Sequence, residues 1–566
     1  MKKFEFDYSK YKKEIIAILK EASEVDTLTW NKFRKILAKY PKDGNQMFSK
    51  NQLVLGYEGL IKENHPDVPK DEALLAKIQM KPVRTQSGVT TVTVLTKPFP
   101  CPGKCIFCPN DIRMPKSYLA DEPGAQRAHR NKFDPYLQTY NRLLALKNIG
   151  HNTQKIELIV LGGTWSYYPE AYQIWFIKNC FEAMNDFGEG VDKREEKLAN
   201  TINLDINQND YSDETVRTQT YNKTIAKIIS GSKDKSLQRS TWDELFYEHK
   251  RNETSNCRNV GLVVETRPDN ISIEEITRIR KLGCTKTQIG FQSLNDSVLK
   301  ANNRGHNVDA TRNAVRMLRQ AGFKIHAHWM ANLYGSTLED DISDYKKMFT
   351  DDDFKPDELK IYPCSLIESA ELFEYYQKGL WQPYNFEQMH KLLTETISLT
   401  PPYCRLTRVV REFSADVIVE GNTTSNFRQI AEKSLDERGI TREDIRSREI
   451  RKQKVSRSDL TLNIYDYTTT VSSEKFIQFV TNENKIAGFL RLSLPKKTTG
   501  LIEELNDSAI IREIHVYGNA VNLGEKKKGK AQHLGLGTEL INKAVEITKN
   551  EGYKKLAVIS AIGTRE

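Results

Sequence analysis

The stretch Pro98-Phe-Pro-Cys101-Pro-Gly-Lys-Cys105-Ile-Phe-Cys108-Pro109 decides how this chain is read. Its C-x3-C-x2-C spacing puts three thiols on one short loop. A [4Fe-4S] cluster ordinarily takes four thiolates. Three leave one iron with an open position, where a small molecule can bind and be reductively cleaved. The alternative is a zinc knuckle, which needs a fourth Cys or His at suitable spacing. The nearest, His129, lies well outside that spacing, and three cysteines cannot be evenly paired in disulfides. Eight cysteines in 566 residues, three of them bunched, suit a reducing cytoplasm better than a disulfide scaffold.

Outward from the loop, short β-rich runs alternate with helical segments. Val89–Leu95 precedes the cysteines, and Ile156–Leu161, Val260–Glu265, Thr287–Gly290, Lys324–His328 and Glu358–Tyr362 follow. Near-continuous apolar strands separated by helices predict a parallel sheet covered by helices. The fold class is α/β: a partial, TIM-like (β/α)6 barrel over 81–400, with chemistry at the C-terminal strand ends. Residues 1–80 read as amphipathic helices. The polar stretch from about 187 to 257 reads as an insertion of loop and exposed helix with no role of its own. Residues 401–455 read as a connecting segment. From 456 to 566 the pattern becomes a hairpin, Phe476–Val480 with Ile486–Leu494, then a strand Ile511–Tyr517, a basic Gly-rich loop, a helix and a last strand.

Apolar residues make up 38% of the chain, aromatic 9% and charged 28%, enough for real cores under a well-solvated surface. No run approaches eighteen apolar residues, so a membrane-spanning helix is not expected. The start, Met1-Lys-Lys-Phe-Glu-Phe-Asp7, lacks the apolar stretch of a secretory signal. A net charge of +10 favours a polyanionic partner through counterion release.

Several motifs fall at predicted strand ends. Leu161-Gly162-Gly163-Thr164 exposes backbone groups to a close ligand; a tight turn is the plainer use of such a pair. Glu265 and Arg267 close another strand, an acid suited to ribose hydroxyls and a guanidinium suited to a carboxylate or phosphate. Gln292 and Ser293 end the next, ready to read polar cofactor edges. Asn303-Arg-Gly-His306 follows, with helix capping as its alternative. In the C-terminal region, Gln532-His-Leu-Gly535-Leu536-Gly537-Thr538 leads a loop into a helix, where free amides suit a pyrophosphate. The loop follows antiparallel strands rather than opening a parallel unit, which favours coenzyme A over a dinucleotide. Lys526–Lys530 stand just before it.

With Lys81–Val89, the cysteine loop, Val264-Glu-Thr-Arg-Pro-Asp269 and Asn303–His306, this chain resembles the catalytic subunit of Elongator in its single-subunit archaeal and bacterial form. The resemblance implies a radical S-adenosylmethionine (SAM) barrel, a C-terminal GNAT acetyltransferase domain and an N-terminal helical region that binds tRNA. It implies a tRNA uridine(34) acetyltransferase that forms 5-carboxymethyluridine at the wobble position. The 5′-deoxyadenosyl radical from SAM takes hydrogen from the acetyl-CoA methyl, the carbon radical adds to the uridine, and thioester hydrolysis follows.

The implied cofactors are a [4Fe-4S] cluster on Cys101, Cys105 and Cys108, SAM, and acetyl-CoA as co-substrate. Gly162, Gly163, Thr164, Glu265 and Gln292 would hold SAM. Lys155, Glu513, Ile514, His515 and Val516, with Gln532, Gly535, Leu536, Gly537 and Thr538, would line the CoA cleft. The implied partners are a tRNA anticodon stem-loop, an electron donor and a second copy in a homodimer, with no membrane. Arg84, Lys97, Arg113, Lys116, Arg127 and Arg130 are candidate phosphate contacts, with Arg280 and Lys281 behind them.

The family often carries one more residue between the first two cysteines, and an acidic residue where Asn332 stands. It also continues past Glu566 into a tyrosine pair and a last helix. The module is therefore expected to be C-terminally truncated, with weakened CoA binding. Two other functions are kept against the leading one: a protein lysine acetyltransferase with the barrel as scaffold, and a non-catalytic tRNA-binding subunit.

Overall fold

In the computed structural model the described residues are 6–26, 28–69, 72–80, 88–201, 218–231, 238–410, 417–424, 426–451, 453, 455–496, 501–517 and 535–565. The first eighty residues supply four helices: α1 (Lys12–Glu24), α2 (Trp30–Lys39), α3 (Lys50–Lys62) and α4 (Glu72–Ile78). In α1 the buried residues Ile15, Ile18, Leu19 and Ala22 recur at helical spacing. Thr29 caps α2, and Ser49 with Gln52 forms a capping box on α3. Ile15, Ile18, Leu19 and Ala22 form, with Phe33, Leu37, Leu53 and Leu60, a hydrophobic cluster separate from the main core. Gln79 ties this unit to the next by donating to the Gly150 carbonyl at 2.8 Å.

The main body is a parallel sheet of β1 (Thr90–Leu95), β2 (Lys155–Leu161), β3 (Arg258–Thr266), β4 (Lys286–Gln292), β5 (Lys324–Ala331) and β6 (Glu358–Pro363), in sequence order. All six strands expected from the sequence are there. A seventh parallel strand, β8 (Arg405–Val409), extends the sheet beyond β6. It comes from the segment expected only to connect. Its sequence, Arg-Leu-Thr-Arg-Val, alternates charge with apolar residues and so resembles no buried strand. A short ribbon of β7 (Leu366–Ile367) and β9 (Ile418–Glu420) lies apart.

The inserted segment also departs from expectation. Its helix Trp242–Thr254 buries Leu245, Glu248, His249 and Asn252 and joins the layer that covers the sheet. Asn185 Nδ2 donates to Glu248 Oε2 at 2.8 Å, and Asn252 Nδ2 to Asn185 Oδ1 at 2.7 Å. Buried polar groups are tolerable only when paired in this way, and it is their polarity that made the helix read as exposed.

The C-terminal sheet runs β10 (Thr461–Thr468), β11 (Ser472–Val480), β12 (Ile486–Pro495), β13 (Ser508–Val516) and β14 (Lys555–Val558). Its pairings are antiparallel except the last, β13 with β14. The helix Leu536–Asn550 links those two strands and buries Leu536, Leu540, Ala544 and Ile547. One continuous core joins this sheet to the barrel. Among the described residues no helix is long and apolar enough to cross a membrane.

Candidate functional site

The cysteine loop follows β1 at the C-terminal end of the sheet. Cys105 and Cys108 are buried and Cys101 is partly exposed. The Cys108 amide donates to the Cys105 carbonyl at 3.2 Å. Cys101 Sγ lies 3.8 Å from Thr164 Oγ1, and Cys108 Sγ 3.1 Å from Ser117 Oγ. Burial pushes the Cys108 thiol up, and the nearby Lys116 ammonium works the other way, toward the thiolate a metal ligand requires. His129, the nearest candidate for a fourth zinc ligand in the sequence, instead packs edge-on against Phe133.

Two arginines close around the loop. Arg304 Nη1 donates to Cys105 Sγ at 3.5 Å and Nη2 to the Gly290 carbonyl at 2.8 Å. Arg267 is forked onto Asp269 at 2.9 and 2.8 Å and donates to the Arg304 carbonyl at 2.7 Å. A Cβ at Gly103 would overlap Arg267 Nη1, so a side chain there would displace this guanidinium. Arg267 Nη1 and Gln292 Oε1 are buried with no protein partner. Such atoms are costly unless a ligand meets them. Gln292 adopts φ 65° at the end of β4, a left-handed conformation uncommon for a residue with a side chain.

Gly162 and Gly163 turn the chain at the end of β2 with φ 129° and 80°. A Cβ at Gly162 would overlap Thr96 Oγ1. That hydroxyl is itself held by the Gly162 carbonyl at 3.0 Å and Tyr168 Oη at 2.8 Å. The pair is thus a cradle of bare backbone beside the cysteines. Glu265 closes β3, accepting from Tyr118 Oη at 2.9 Å, with His328 Nδ1 at 3.5 Å. Cysteine loop, glycine cradle, Glu265 and Gln292 therefore meet at one end of the half-barrel. Their unmet polar atoms, bare backbone and thiols fit a three-thiolate cluster with SAM beside it.

The other predicted half-site lies at the opposite end. Glu513, Ile514, His515 and Val516 pair on one edge with Arg491, Leu490, Phe489 and Gly488 of β12. On the other edge β14 pairs only with Ser508–Ile511. From Arg512 onward β13 parts from β14, and a bulge marks the point of divergence. Among the described residues no strand pairs with that edge at 513–515. The helix that starts at Leu536 has left-handed Gly535 as its cap, and its first amides have no partner within the helix. A Cβ at Gly537 would stand 3.9 Å from Val516 and 4.0 Å from Ile514, so these elements adjoin. Thr538 is exposed and Leu536 buried. Gln532, Lys526–Lys530 and Arg84 lie outside the described residues.

Lys155 opens β2, beside Arg258 of β3, at the end of the barrel away from the cysteines. Gly563 packs against Arg258 there, its Cβ position 2.7 Å from the Arg258 Cβ. The side chain of Glu513 is committed elsewhere: Lys324 Nζ lies at 2.6 Å and Arg491 Nε at 2.8 Å. Burial works to raise its carboxyl, and the two cations outweigh that, holding it down at about 2. Only its backbone is left to offer a ligand.

Between the two ends runs a polar column that sequence reasoning missed. Lys324 Nζ joins Glu513 to Glu358 Oε1 at 3.3 Å. Lys286 Nζ bridges Glu358 at 3.0 Å and Glu157 at 2.7 Å. Because β2, β4 and β6 are not neighbours, this bridge must cross the concave face. His326 Nδ1 lies 3.3 Å from Glu358, and its Nε2 hydrogen-bonds Thr407 Oγ1 at 2.8 Å. His328 Nε2 shares a hydrogen bond with Gln288 Oε1 at 2.8 Å, which Lys360 also reaches, and His328 meets Glu265 above. The available signal was the period-two pairing of polar residues, Lys286 with Gln288 and His326 with His328.

Asn332 is structural. With φ 58° it ends β5, donating its amide to Asp341 Oδ2 at 2.6 Å and accepting from the Tyr384 amide at 2.8 Å. Several expected phosphate contacts are also otherwise engaged. Lys116 is 2% exposed and stands over the Tyr221 ring at 5.0 Å. Arg113 is forked onto Asp111, and Arg280 donates to the Cys284 carbonyl at 2.5 Å. Arg130 is exposed on the surface.

Residues 208–346 match the Radical SAM superfamily and 356–437 the Radical_SAM C-terminal domain. The chain is 35% identical over 509 residues to the tRNA uridine(34) acetyltransferase of Methanocaldococcus infernus, covering 87% of this chain and 85% of that protein. It is 33% identical to the protein of the same name from Dehalococcoides mccartyi, over 85% and 95% of the two chains. Identity to human Elongator complex protein 3 is 31%, over 87% and 84%. Among solved structures, Methanocaldococcus infernus Elp3 with an N-terminal deletion (1-46) superposes with a TM-score of 0.63 at 30% identity, covering 84% of this chain and 95% of that one. This chain belongs to the tRNA uridine(34) acetyltransferase family that includes Elongator complex protein 3.

Proposed function

We propose that this protein is a radical SAM tRNA uridine(34) acetyltransferase that forms 5-carboxymethyluridine from acetyl-CoA at the wobble position. The observation that supports the reading is where the candidate residues lie. A three-cysteine loop with its glycine cradle caps one end of a half-barrel, and the β13 edge at 513–515 beside a helix N-terminus caps the other. A polar column joins them.

The bound cluster and SAM supply one-electron reductive cleavage to a carbon radical, with acetyl-CoA as the carbon source and an external donor as the source of the electron. The chain's residues do the rest. Cys101, Cys105 and Cys108 provide thiolates, and Arg304 directs a donor at the Cys105 sulfur, which stabilises negative charge there. Gly162 and Gly163 let polar cofactor groups approach backbone that any side chain would block. Glu265, steered by Tyr118 and His328, accepts from ribose hydroxyls, while Gln292 and Arg267 Nη1 offer further polar contacts. At the far end the β13 edge at 513–515 hydrogen-bonds an extended amide-bearing arm as an added strand would. The amides at 536–538 receive phosphates. The polar lumen lets a thioester arm leave water without stranding its carbonyls.

The same proposal divides the chain into a tRNA-contacting helical unit at 1–80, the radical SAM domain at 81–400 extended by β8, a connecting segment to about 455, and an acetyltransferase domain from 456. Reconstituted protein incubated with tRNA, SAM, reductant and acetyl-CoA is expected to yield 5-carboxymethyluridine and 5′-deoxyadenosine. Loss of both products in Cys105→Ala, with tRNA binding retained, supports the reading. Acetyl transfer to peptides that is indifferent to the cluster overturns it in favour of a protein acetyltransferase.

A further inference from the structure

We propose that the inserted helix Thr218–Gly231 is a clamp on the cluster-binding loop, with Asn222 as the positioning residue that holds Cys101 in ligating geometry. The inference rests on reading the cysteine loop as a cluster site. The carboxamide of Asn222 takes both backbone groups of Cys101. Its Oδ1 accepts from the Cys101 amide at 3.0 Å, and its Nδ2 donates to the Cys101 carbonyl at 2.9 Å. A single side chain thereby does what a neighbouring strand does, fixing the peptide planes on either side of the ligand.

The two halves of the loop are held differently. Around Cys105 and Cys108 the barrel's own backbone serves: Ile106 donates to the Asn302 carbonyl at 3.2 Å and accepts from Leu372 at 2.8 Å. Cys101, the most exposed of the three thiols, is held instead by the insertion. Its sulfur accepts from the Gly103 amide at 3.4 Å, so a shift of the Cys101 backbone moves the sulfur with it.

The helix is also anchored beyond the last cysteine. Tyr221 is fully buried and donates its hydroxyl to the Met114 carbonyl at 2.8 Å. Its ring packs with Ile112 and Ile225. Contacts before and after the ligand loop make the helix a strap across it. An insertion without a role would pack its apolar residues anywhere on the surface; this one spends an amide on a ligand's backbone.

The test uses the full chain, anaerobically reconstituted with iron and sulfide, as wild type, Asn222→Ala, Tyr221→Phe and, as a control, Lys223→Ala at an exposed position of the same helix. Asn222→Ala is expected to release iron to a chelator at least about fivefold faster and to alter the low-temperature EPR signal of the reduced cluster. Tyr221→Phe keeps the ring packing and is expected to show a smaller increase. Lys223→Ala and the thermal unfolding of the cluster-free proteins are expected to be unchanged. A lowered unfolding temperature with unaltered EPR signal and release rate would mark the helix as merely structural and overturn the clamp. A wild type that takes up no cluster at all overturns the underlying reading as well, which separates the two failures.

Discussion

Arg512 sets both terminal nitrogens against the two carboxylate oxygens of Asp357, at 2.6 and 2.8 Å, with both side chains fully buried between the half-barrel and the C-terminal sheet. Arg491 lies 3.4 Å from the same carboxylate, and Glu474 completes the group 2.9 Å from Arg512. Beside the connecting segment, the network joins the half-barrel and the C-terminal sheet through a desolvated joint. Such a pair adds little over an apolar contact, but unpairing it leaves a buried charge. Asp357→Ala strands two arginines and is expected to cost about 3–5 kcal/mol, read as a lower urea midpoint. An unchanged midpoint would mean the joint is wetter than the structure has it.

Cys105→Ala removes the thiol that receives the Arg304 hydrogen bond. Reconstituted variant is expected to lack the iron and sulfide content of the wild type and to form no 5′-deoxyadenosine. Its circular dichroism should match the wild type, since the loop contributes little to the main core.

Gly162→Ala forces a Cβ onto Thr96 Oγ1 at a backbone angle of 129°. The expected result is SAM binding weakened about tenfold or more, measured by calorimetry on the reconstituted protein. Adding Thr96→Ala removes the overlap but leaves the left-handed strain, so only partial recovery is expected. Full recovery would show that sterics alone set the glycine requirement.

Glu265→Gln keeps an acceptor for Tyr118 but gives up the charge beside His328. It is expected to raise the KM for SAM about tenfold with an unchanged unfolding temperature. A fall in kcat with constant KM would place Glu265 in the chemistry rather than in cofactor binding.

Burial against Phe181, aided by the Arg565 charge, pushes the His249 imidazole from its ordinary 6.5 down to about 3. Between these values the unfolded chain takes a proton that the folded chain refuses. Stability is therefore complete above pH 6.5 and falls as pH drops, by up to about 1.4 kcal/mol per unit. His249→Gln is expected to flatten that acid slope between pH 6.5 and 4 in urea unfolding. Parallel slopes for both proteins would show that the imidazole keeps access to water when folded.

Much of this protein is legible in its sequence because its elements are local. The β1–β6 strands are short apolar runs, the glycine pair and Glu265 follow directly from strand ends, and the cysteine spacing names its own chemistry. Where charge alternates with apolar residues the reading fails. Arg405–Val409 became a barrel strand, and one face of Trp242–Thr254 became buried, because partners far along the chain meet their polar groups. What the sequence by itself determined is the inventory: three thiols, a bare-backbone cradle and a phosphate-type loop on α/β scaffolds. Only the tertiary structure decided that the residues proposed for the two half-sites lie at opposite ends of one half-barrel, that Glu513 is bound in an ion pair, and that Asn222 hydrogen-bonds Cys101. These depend on side chains meeting across long stretches of chain, and the cost of burying a charge or an amide is met only when the folded partners arrive together.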